Sequence, residues 1–232
     1  MKLKAILLFF FMSSLSVLQA SEKPLIKIET DGTSLVYQVG DNGRLYQKYL
    51  GKKLNHDSDM QYLPSGTEAY LTHGMEDYFE PAIQVLHNDN NPSLLLKYAA
   101  HSVKNLGDDV TETIITMKDD KYPVTVKLHY VTYGKENVIR TFTEIVHQEK
   151  KPILLSKYAS SMLHLNSDKY FLTEFSGDWA HEANITEGEL SFGKKVVDTK
   201  LGARADMFVS PFFQLSLEWR DSALTSFQRQ PR

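Results

Sequence analysis

The stretch "SLVYQVGDNGRLYQKYL", residues 34–50, carries the local pattern on which the fold prediction rests. Two runs rich in apolar and aromatic residues flank Gly40-Asp41-Asn42-Gly43, and such runs are typical of strands. The Asn-Gly pair supplies the positive φ angles that a tight hairpin turn requires. We therefore predict a β-hairpin formed by residues 34–39 and 44–50.

Alternation of apolar and polar residues recurs along the chain, whereas helical periodicity is almost absent. Residues 124–131 predict one buried face, formed by Val124, Val126, Leu128 and Tyr130, and one mostly wet face, formed by Thr125, Lys127, His129 and Val131. Further strands are predicted at residues 25–30, 82–87, 94–103, 109–118, 138–147, 153–165, 170–175, 181–187, 190–199 and 212–218. A single open sheet of that size would expose its edges, so the predicted fold is all-β, a large antiparallel β-sandwich.

The N-terminus has the pattern of a secretory signal peptide. Lys2 and Lys4 precede an apolar run from Ala5 to about Val17, and Ala20 offers a small residue for cleavage. The run is shorter than the ~20 residues that a membrane-spanning helix needs. We predict a cleaved signal peptide over residues 1–20, a secreted or periplasmic protein and no membrane span after cleavage, with a retained N-terminal anchor as the alternative.

Composition excludes several classes of function. The formal net charge of the chain is −3, so a nucleic acid partner is not expected. The sequence contains no cysteine, which excludes disulfides and an anchor attached to cysteine. The stability of the protein must therefore come from an apolar core, and the chain is long enough to bury one.

Motifs of metal and nucleotide chemistry are missing from the sequence. The eight histidines never fall at ligand spacings and are interpreted as strand or turn residues. His56-Asp57-Ser58-Asp59 lacks the glycine and the distal glutamate of a calcium loop. Gly193-Lys194-Lys195 lacks the upstream glycine of a P-loop. No metal and no other cofactor is therefore expected.

Two stretches combine acidic and aromatic residues in a way that suits carbohydrate. They are "HGMEDYFE", residues 73–80, and "FSGDWAHE", residues 175–182. An aspartate accepts hydrogen bonds from neighbouring sugar hydroxyls, while an aromatic ring covers the apolar face of a pyranose. The alternative is that residues 73–80 form only an acidic surface connection between two strands. Sugar hydrolysis would need two paired carboxylates, and no pair can be selected from the sequence.

The order of residues in these stretches resembles the N-terminal domain of glycoside hydrolase family 36, the melibiase-type α-galactosidases. The first block of that resemblance is G-x-x-D-[FY]-x-x-P-A-x-x-V, matched by Gly74, Asp77, Tyr78, Pro81, Ala82 and Val85. The other blocks are Val138 to Ile145, Leu172 to Glu182 with Ser176, Gly177 and Trp179, and Gly193 to Gly202 followed by Ser210 to Phe213. Each block is weak alone, and the four are specific in combination because they occur in the right order.

The resemblance implies an N-terminal β-supersandwich over residues 21–218, preceding a (β/α)₈ barrel that acts on α-galactosides. In the family, the catalytic aspartates follow a K-W-D-like strand end and a glycine-rich S-G-G-G segment of the barrel, and neither motif occurs here. A barrel needs about 250 residues. We therefore expect no catalytic residue in this chain and no hydrolysis by the chain alone. Homo-oligomers are expected to form through the missing barrel.

The loop at residues 73–80 acquires a specific role through the same resemblance. In family oligomers it can lie against a neighbouring subunit's barrel, where an aspartate and an aromatic ring help to close the sugar pocket. This implies substrate binding by Asp77 and Tyr78. The alternative is a structural loop, with Pro81 starting an edge strand. Trp179 is expected to belong to the core rather than to form a sugar platform.

The last residues, "WRDSALTSFQRQPR" at 219–232, depart from the family pattern. They are interpreted as an aberrant or truncated tail, such as a shifted reading frame would produce, with a short, free-standing sandwich as the alternative. The predicted function is therefore the N-terminal domain, present as a truncated fragment, of a secreted α-galactosidase that hydrolyses terminal α-galactosides. The alternatives are a non-catalytic carbohydrate-binding or assembly module and a purely structural surface protein.

Overall fold

The computed structural model describes residues 23–75, 79–167, 169–198 and 208–217, and these residues form mostly β-strands. The strands are β1 (Leu25–Glu29), β2 (Thr33–Val39), β3 (Leu45–Lys52), β4 (Thr67–Glu68), β5 (Ile83–Leu86), β6 (Leu96–Gly107), β7 (Val110–Asp119), β8 (Val124–Tyr133), β9 (Val138–His147), β10 (Leu154–Tyr158), β11 (Phe171–Asp178), β12 (His181–Glu189) and β13 (Phe208–Ser216). One 3₁₀ helix, Asp57–Tyr62, lies between β3 and β4. The all-β prediction is confirmed. The predicted signal peptide and tail lie outside the described residues.

The chain divides into two compact units, with the boundary between His164 and Leu165. Unit 1 contains β1 to β10, and unit 2 contains β11 to β13. A single domain over residues 21–218 stays a prediction.

Unit 1 is a sandwich of two antiparallel four-stranded sheets. The sheets have the strand orders β1-β2-β3-β4 and β6-β7-β8-β9, and a separate two-stranded ribbon joins β5 to β10. Apolar side chains of both sheets form one buried cluster, as expected when two amphipathic sheets cover each other's apolar faces. This cluster includes Ile26, Ile28, Leu35, Tyr37, Leu45, Ile115, Met117, Val124, Val126, Leu128 and Tyr130. The predicted β-sandwich is confirmed.

Two tyrosines connect the sheets through the middle of this core. Tyr37 of β2 is 0% exposed and Tyr130 of β8 is 4% exposed. Their ring centroids lie 5.5 Å apart, and the Tyr130 hydroxyl donates a hydrogen bond of 2.9 Å to the Tyr37 hydroxyl. Burial, followed by the neighbouring Tyr130 side chain, raises the pKa of Tyr37. Burial also raises the pKa of Tyr130, so both phenols stay neutral in the folded protein.

The hairpin predicted at residues 34–50 is present as β2 and β3. Gly40 N–H donates to the Arg44 carbonyl at 2.8 Å, and Gly43 N–H donates to the Gly40 carbonyl at 3.0 Å. Gly43 has a φ of +78°, which is the left-handed conformation that selects glycine at this position.

The two faces of β8 follow the predicted alternation on the core side only. Val124, Val126, Leu128 and Tyr130 are all buried, but so are His129 and Val131, which were expected on a mostly wet face. The prediction is wrong for these two residues. The Phe142 ring of β9 stacks on the His129 ring with centroids 4.3 Å apart, and this aromatic cover removes the imidazole from water.

Two predicted strands differ from the structure, and each difference has a local cause. The strand predicted at residues 153–165 is only β10, because its partner β5 has four residues and supplies no further backbone groups for pairing. Within the strand predicted at residues 190–199, none of the described residues 190–198 is extended in a sheet. Gly193 has a φ of +115°, a value that a strand does not accommodate.

Unit 2 contains an antiparallel sheet of three strands in the order β12-β11-β13. A two-residue loop, Trp179-Ala180, joins β11 to β12, and Ala180 has a φ of +62°. Positive φ values of this kind are characteristic of short hairpin loops. Trp179 is 83% exposed, so the expectation that it belongs to the core is wrong. It lies in the loop, beyond the end of the sheet that would bury it.

Candidate functional site

The two ends of the 73–80 loop are fixed to unit 1. At its start, His73 N–H donates to the Ile83 carbonyl at 3.1 Å, and the His73 carbonyl accepts from Leu94 N–H at 3.3 Å. At its end, the Glu80 carboxylate forms an ion pair with the Lys157 ammonium of β10. Asp77 and Tyr78 lie outside the described residues, so their predicted contact with substrate stays a prediction.

Gly74 allows this loop to lie directly on the segment that contains Ser93. A Cβ placed on Gly74 would lie 2.8 Å from the Cα of Ser93, and Gly74 has a φ of +85°. Both facts select glycine, the first by space and the second by backbone conformation. The Ser93 hydroxyl also donates to the Gly74 carbonyl at 3.4 Å. The position of Ser93 therefore determines where the loop begins.

A buried pair of titratable side chains, His87 and Glu149, lies behind Ser93. The His87 side chain is 0% exposed and the Glu149 side chain is 1% exposed, and His87 Nδ1 lies 2.6 Å from Glu149 Oε1. On the other side of the ring, Nε2 lies 3.1 Å from the Ser93 carbonyl oxygen. The second carboxylate oxygen accepts from the Asn88 backbone N–H at 3.0 Å and from the Asn88 amide group at 2.6 Å. Burial favours the neutral acid, but these hydrogen bonds lower the pKa of Glu149 below its usual value.

The turn between His87 and Ser93 is held by its own side chains. Asp89 accepts from Asn91 N–H at 3.0 Å, and Asn91 accepts from Ser93 N–H at 2.8 Å. The Tyr122 hydroxyl donates to Asp89 at 2.9 Å, and its ring stacks on the His87 ring with centroids 3.6 Å apart. The Asn91 N–H and the Tyr122 hydroxyl lower the pKa of Asp89. Short polar side chains that bond to the backbone in this way favour tight turns.

This network was not predicted from the sequence. Sixty-two positions separate His87 from Glu149, so no local spacing could indicate that they meet. The strand predicted at residues 82–87 ends where the structure has a turn. The buried contact between His87 and Glu149 at the start of that turn is created by the fold.

A second imidazole, that of His129, contacts acidic side chains on the outer face of the β6 to β9 sheet. His129 Nδ1 lies 3.0 Å from Glu112 Oε1, and His129 Nε2 lies 3.5 Å from Glu144 Oε2. Lys127 Nζ lies 2.9 Å from Glu144, and its hydrogen bond lowers the pKa of Glu144. These groups belong to β7, β8 and β9, so the cluster ties adjacent strands together.

Unit 2 contains a cavity of about 310 Å³ beside β11, β12 and the segment that follows β12. An ion pair of 2.7 Å between Glu174 and Lys195 lies at this cavity, and the Glu174 side chain is 19% exposed. Phe192, also at the cavity, is fully exposed. Within the described parts of the chain, no group of three or more metal-ligating side chains is present. The residues that the structure describes also include no helix long and apolar enough to cross a membrane.

Comparisons with known proteins identify relatives over most of this chain. The chain is 23% identical over 224 residues to α-galactosidase 2 of Pediococcus pentosaceus, covering 83% of this chain and 31% of that protein. It is 24% identical over 155 residues to α-galactosidase 2 of Hypocrea jecorina, covering 61% of this chain and 21% of that protein. The chain therefore spans less than a third of the length of these curated relatives.

Solved structures show the same fold. The α-galactosidase of Lactobacillus brevis superposes with a TM-score of 0.73 at 20% identity, covering 84% of this chain and 31% of that one. A variant of α-galactosidase AgaA from Geobacillus stearothermophilus, solved in complex with raffinose, gives a TM-score of 0.74 at 19% identity, covering 83% and 31%. The model of the glycosyl hydrolase family 36 N-terminal domain matches residues 43–219. The resemblance predicted from the sequence is confirmed, and the chain belongs to the family of glycosyl hydrolase family 36 N-terminal domains.

Proposed function

We propose that residues 21–218 are the N-terminal domain of a secreted or periplasmic α-galactosidase that hydrolyses terminal α-galactosides, and that the catalytic barrel lies outside this chain. The observation that carries this proposal is the family match over residues 43–219. The curated relatives are named α-galactosidases, and one solved relative is bound to raffinose. In this proposal the domain contributes substrate contacts and supplies no catalytic group.

The contribution of the domain is made by the 73–80 loop. Asp77 accepts hydrogen bonds from sugar hydroxyls and Tyr78 covers the apolar face of the sugar, at the barrel of a neighbouring subunit in a homo-oligomer. The fixed ends of the loop support this role, because the His73 hydrogen bonds and the ion pair between Glu80 and Lys157 hold both of its ends to unit 1. A loop held at both ends loses less conformational entropy when it binds a ligand.

The test places the loop in a complete enzyme. Residues 21–218 are fused to the barrel of a family α-galactosidase, and the parent is compared with Asp77→Ala and Asp77→Asn. Loss of a charged acceptor to a buried sugar hydroxyl costs about 1.5–3 kcal/mol, so kcat/KM is expected to fall roughly 10- to 150-fold. Asp41→Asn is the matched control, because the Asp41 side chain is 90% exposed in a surface hairpin.

Two outcomes would contradict the role of the loop. Unchanged kcat/KM in both Asp77 variants identifies Asp77 as a surface acid. Unfolding of both variants, detected by circular dichroism, identifies a structural role instead. In contrast, an equal loss of activity in the Asp41 control would mean that the assay does not report on the loop.

The cavity of unit 2 favours a second candidate function, a non-catalytic carbohydrate-binding module. It combines the Glu174 carboxylate, the Lys195 ammonium and the exposed Phe192 ring, which are groups that bind sugars. Titration calorimetry of the purified chain with galactose and raffinose separates the candidates. Binding that is lost in Glu174→Gln and kept in Asp77→Ala supports the module, whereas no binding without a barrel supports the α-galactosidase domain.

Export and truncation have independent tests. Sequencing of the N-terminus of the protein recovered from periplasm or medium is expected to begin at Ser21. An intact Met1 in a membrane fraction would instead support the retained anchor. The DNA downstream of codon 232 is expected to encode, in another reading frame, a barrel with K-W-D-like and S-G-G-G-like segments, and an unrelated gene there would favour the module.

A further inference from the structure

Both nitrogens of the His87 ring face groups that only accept hydrogen bonds. Nδ1 lies 2.6 Å from Glu149 Oε1, and Nε2 lies 3.1 Å from the Ser93 carbonyl oxygen. A carbonyl oxygen has no proton to donate, and an ionised carboxylate has none either. Each ring nitrogen must therefore donate. With Glu149 ionised, as the two hydrogen bonds from Asn88 to its second oxygen favour, the geometry fits an imidazolium with both N–H groups in use.

The charged groups around the ring favour this form. The Glu149 carboxylate contacts the ring directly, and Asp89 lies on the turn beside it, bonded to the Tyr122 hydroxyl. The Tyr122 ring is stacked on His87 at an interplanar angle of 9°. His147, at the end of β9, also acts on Glu149 and helps to lower the pKa of that carboxyl. The buried Glu149 carboxylate and the aromatic face of Tyr122 lie directly against the ring, and both favour a cation there.

The Ser93 carbonyl links this imidazolium to the 73–80 loop. The Ser93 hydroxyl donates to the Gly74 carbonyl, and the next residue, Leu94, donates its N–H to the His73 carbonyl. Gly74 packs directly on the Ser93 backbone, since a Cβ there would lie 2.8 Å from the Ser93 Cα. The ring therefore holds the surface on which the loop begins.

We propose that His87 is a positioning residue. As an imidazolium it fixes Ser93 and thereby the start of the sugar-binding loop. Loss of a ring proton releases Ser93 and the start of this loop. The role of the loop in sugar binding rests on the proposed function. The link from His87 through Ser93 to His73 and Gly74 rests on the distances alone.

The effect of pH has a definite direction. When a rise in pH removes one proton, the ionised Glu149 keeps Nδ1–H, because a charge-assisted hydrogen bond is the stronger of the two. Nε2 then directs a lone pair at the Ser93 carbonyl oxygen, which changes attraction into repulsion. The hydrogen bond from Leu94 to His73 is therefore complete while His87 is cationic and weakens as pH rises through ring deprotonation.

Glu149→Gln tests this directly, because it should remove the pH dependence and keep the loop in place. The carboxamide oxygen accepts from Asn88, while its NH₂ group donates to Nδ1 of a neutral His87. Nε2–H then remains available for Ser93 at any pH. His87→Asn is the matched opposite, since its amide nitrogen replaces Nδ1 and leaves no donor for Ser93.

Two measurements on the purified chain follow the ring and the loop separately. Nitrogen-15 spectra of His87 are expected to show both nitrogens protonated at about pH 6. Exchange protection of the Leu94 amide, corrected for the intrinsic rate, is expected to fall about tenfold on deprotonation in the parent. Protection should be high and independent of pH in Glu149→Gln, and low throughout in His87→Asn.

A neutral ring at about pH 6 would overturn the proposal even if no variant folded. So would a Leu94 protection that follows the same pH course in Glu149→Gln as in the parent. These readouts require no enzyme activity. If they succeed while Asp77→Ala is active in the fused enzyme, only the proposed function fails; if they fail while Asp77 matters, only this inference does.

Discussion

The tyrosine pair between the sheets of unit 1 allows a quantitative test of its core. The Tyr130 and Tyr37 hydroxyls bond to each other at 2.9 Å, and both residues are buried among apolar side chains. Tyr37→Phe leaves the Tyr130 hydroxyl unpaired, and Tyr130→Phe leaves the Tyr37 hydroxyl unpaired. A buried polar group without a partner costs about 1–3 kcal/mol, so each single substitution should lower the free energy of unfolding by that amount.

The double substitution should behave differently from the sum of the two. Tyr37→Phe with Tyr130→Phe removes both polar groups and keeps both rings, whose centroids lie 5.5 Å apart. Replacement of both partners by apolar groups of similar shape is nearly neutral. The double variant should therefore lie within about 1 kcal/mol of the parent, more stable than either single variant.

Urea unfolding followed by far-ultraviolet circular dichroism measures these differences, and amide exchange of β2 and β8 assigns them to unit 1. Tyr49→Phe is the control, because the Tyr49 hydroxyl bonds to the Lys52 carbonyl at an exposed position, and its loss should change stability by less than about 0.5 kcal/mol. A double variant destabilised by the sum of the single effects would refute the reasoning, since the hydroxyls would then have independent partners.

Further predictions concern activity, secondary structure, the loop and acid stability. Purified residues 21–232 should release no galactose from a chromogenic α-galactoside, and release abolished by mutation of an acid of this chain would contradict this. Their far-ultraviolet circular dichroism spectrum should show β-structure with negligible helix; a spectrum dominated by helix would exclude the fold. Gly74→Ala should lower the stability of the protein by more than Gly107→Ala does. Both glycines have a positive φ, which costs an alanine about 1–2 kcal/mol, but only at Gly74 would the added Cβ meet the Ser93 backbone. Equal losses of stability would contradict the argument from close packing. The lowered pKa of Glu149 contributes stability that is complete above the usual value of 4.5 and is lost as pH falls through the lowered value. The midpoint of urea unfolding should therefore fall less steeply with decreasing pH in Glu149→Gln than in the parent. The same acid dependence in both proteins would contradict this.

The parts of the fold that the sequence predicts are those set by neighbouring residues. The hairpin at residues 34–50 depends on the turn at Gly43, and the core face of β8 depends on alternation within eight residues. His129 was predicted to be exposed, but it is buried because the Phe142 ring of another strand covers it. The pattern within one strand contains no information about a neighbour's ring.

The candidate site was predictable only in its outline. The residue order around Gly74 indicated a family loop, and the family match confirmed the resemblance. The pair of His87 and Glu149 depends on a contact across 62 positions, so it had no sequence signal. Trp179 was wrongly predicted to belong to the core because a large aromatic side chain is commonly buried. In the structure Trp179 lies in the two-residue loop between β11 and β12, so it is on no sheet face.

The ribbon of β5 and β10 determines when the 73–80 loop can be completed during synthesis. Ile83–Leu86 pairs with Leu154–Tyr158, and the whole of the β6 to β9 sheet is encoded between them. Hairpins such as β2 and β3 close over a few residues, whereas this pairing must close a connection of about 70 residues and is correspondingly slow. At about 5–20 residues per second, the ribosome needs roughly 4–14 s to supply the second strand after the first. During that time, nascent chains should carry an unpaired β5 and an unfinished loop.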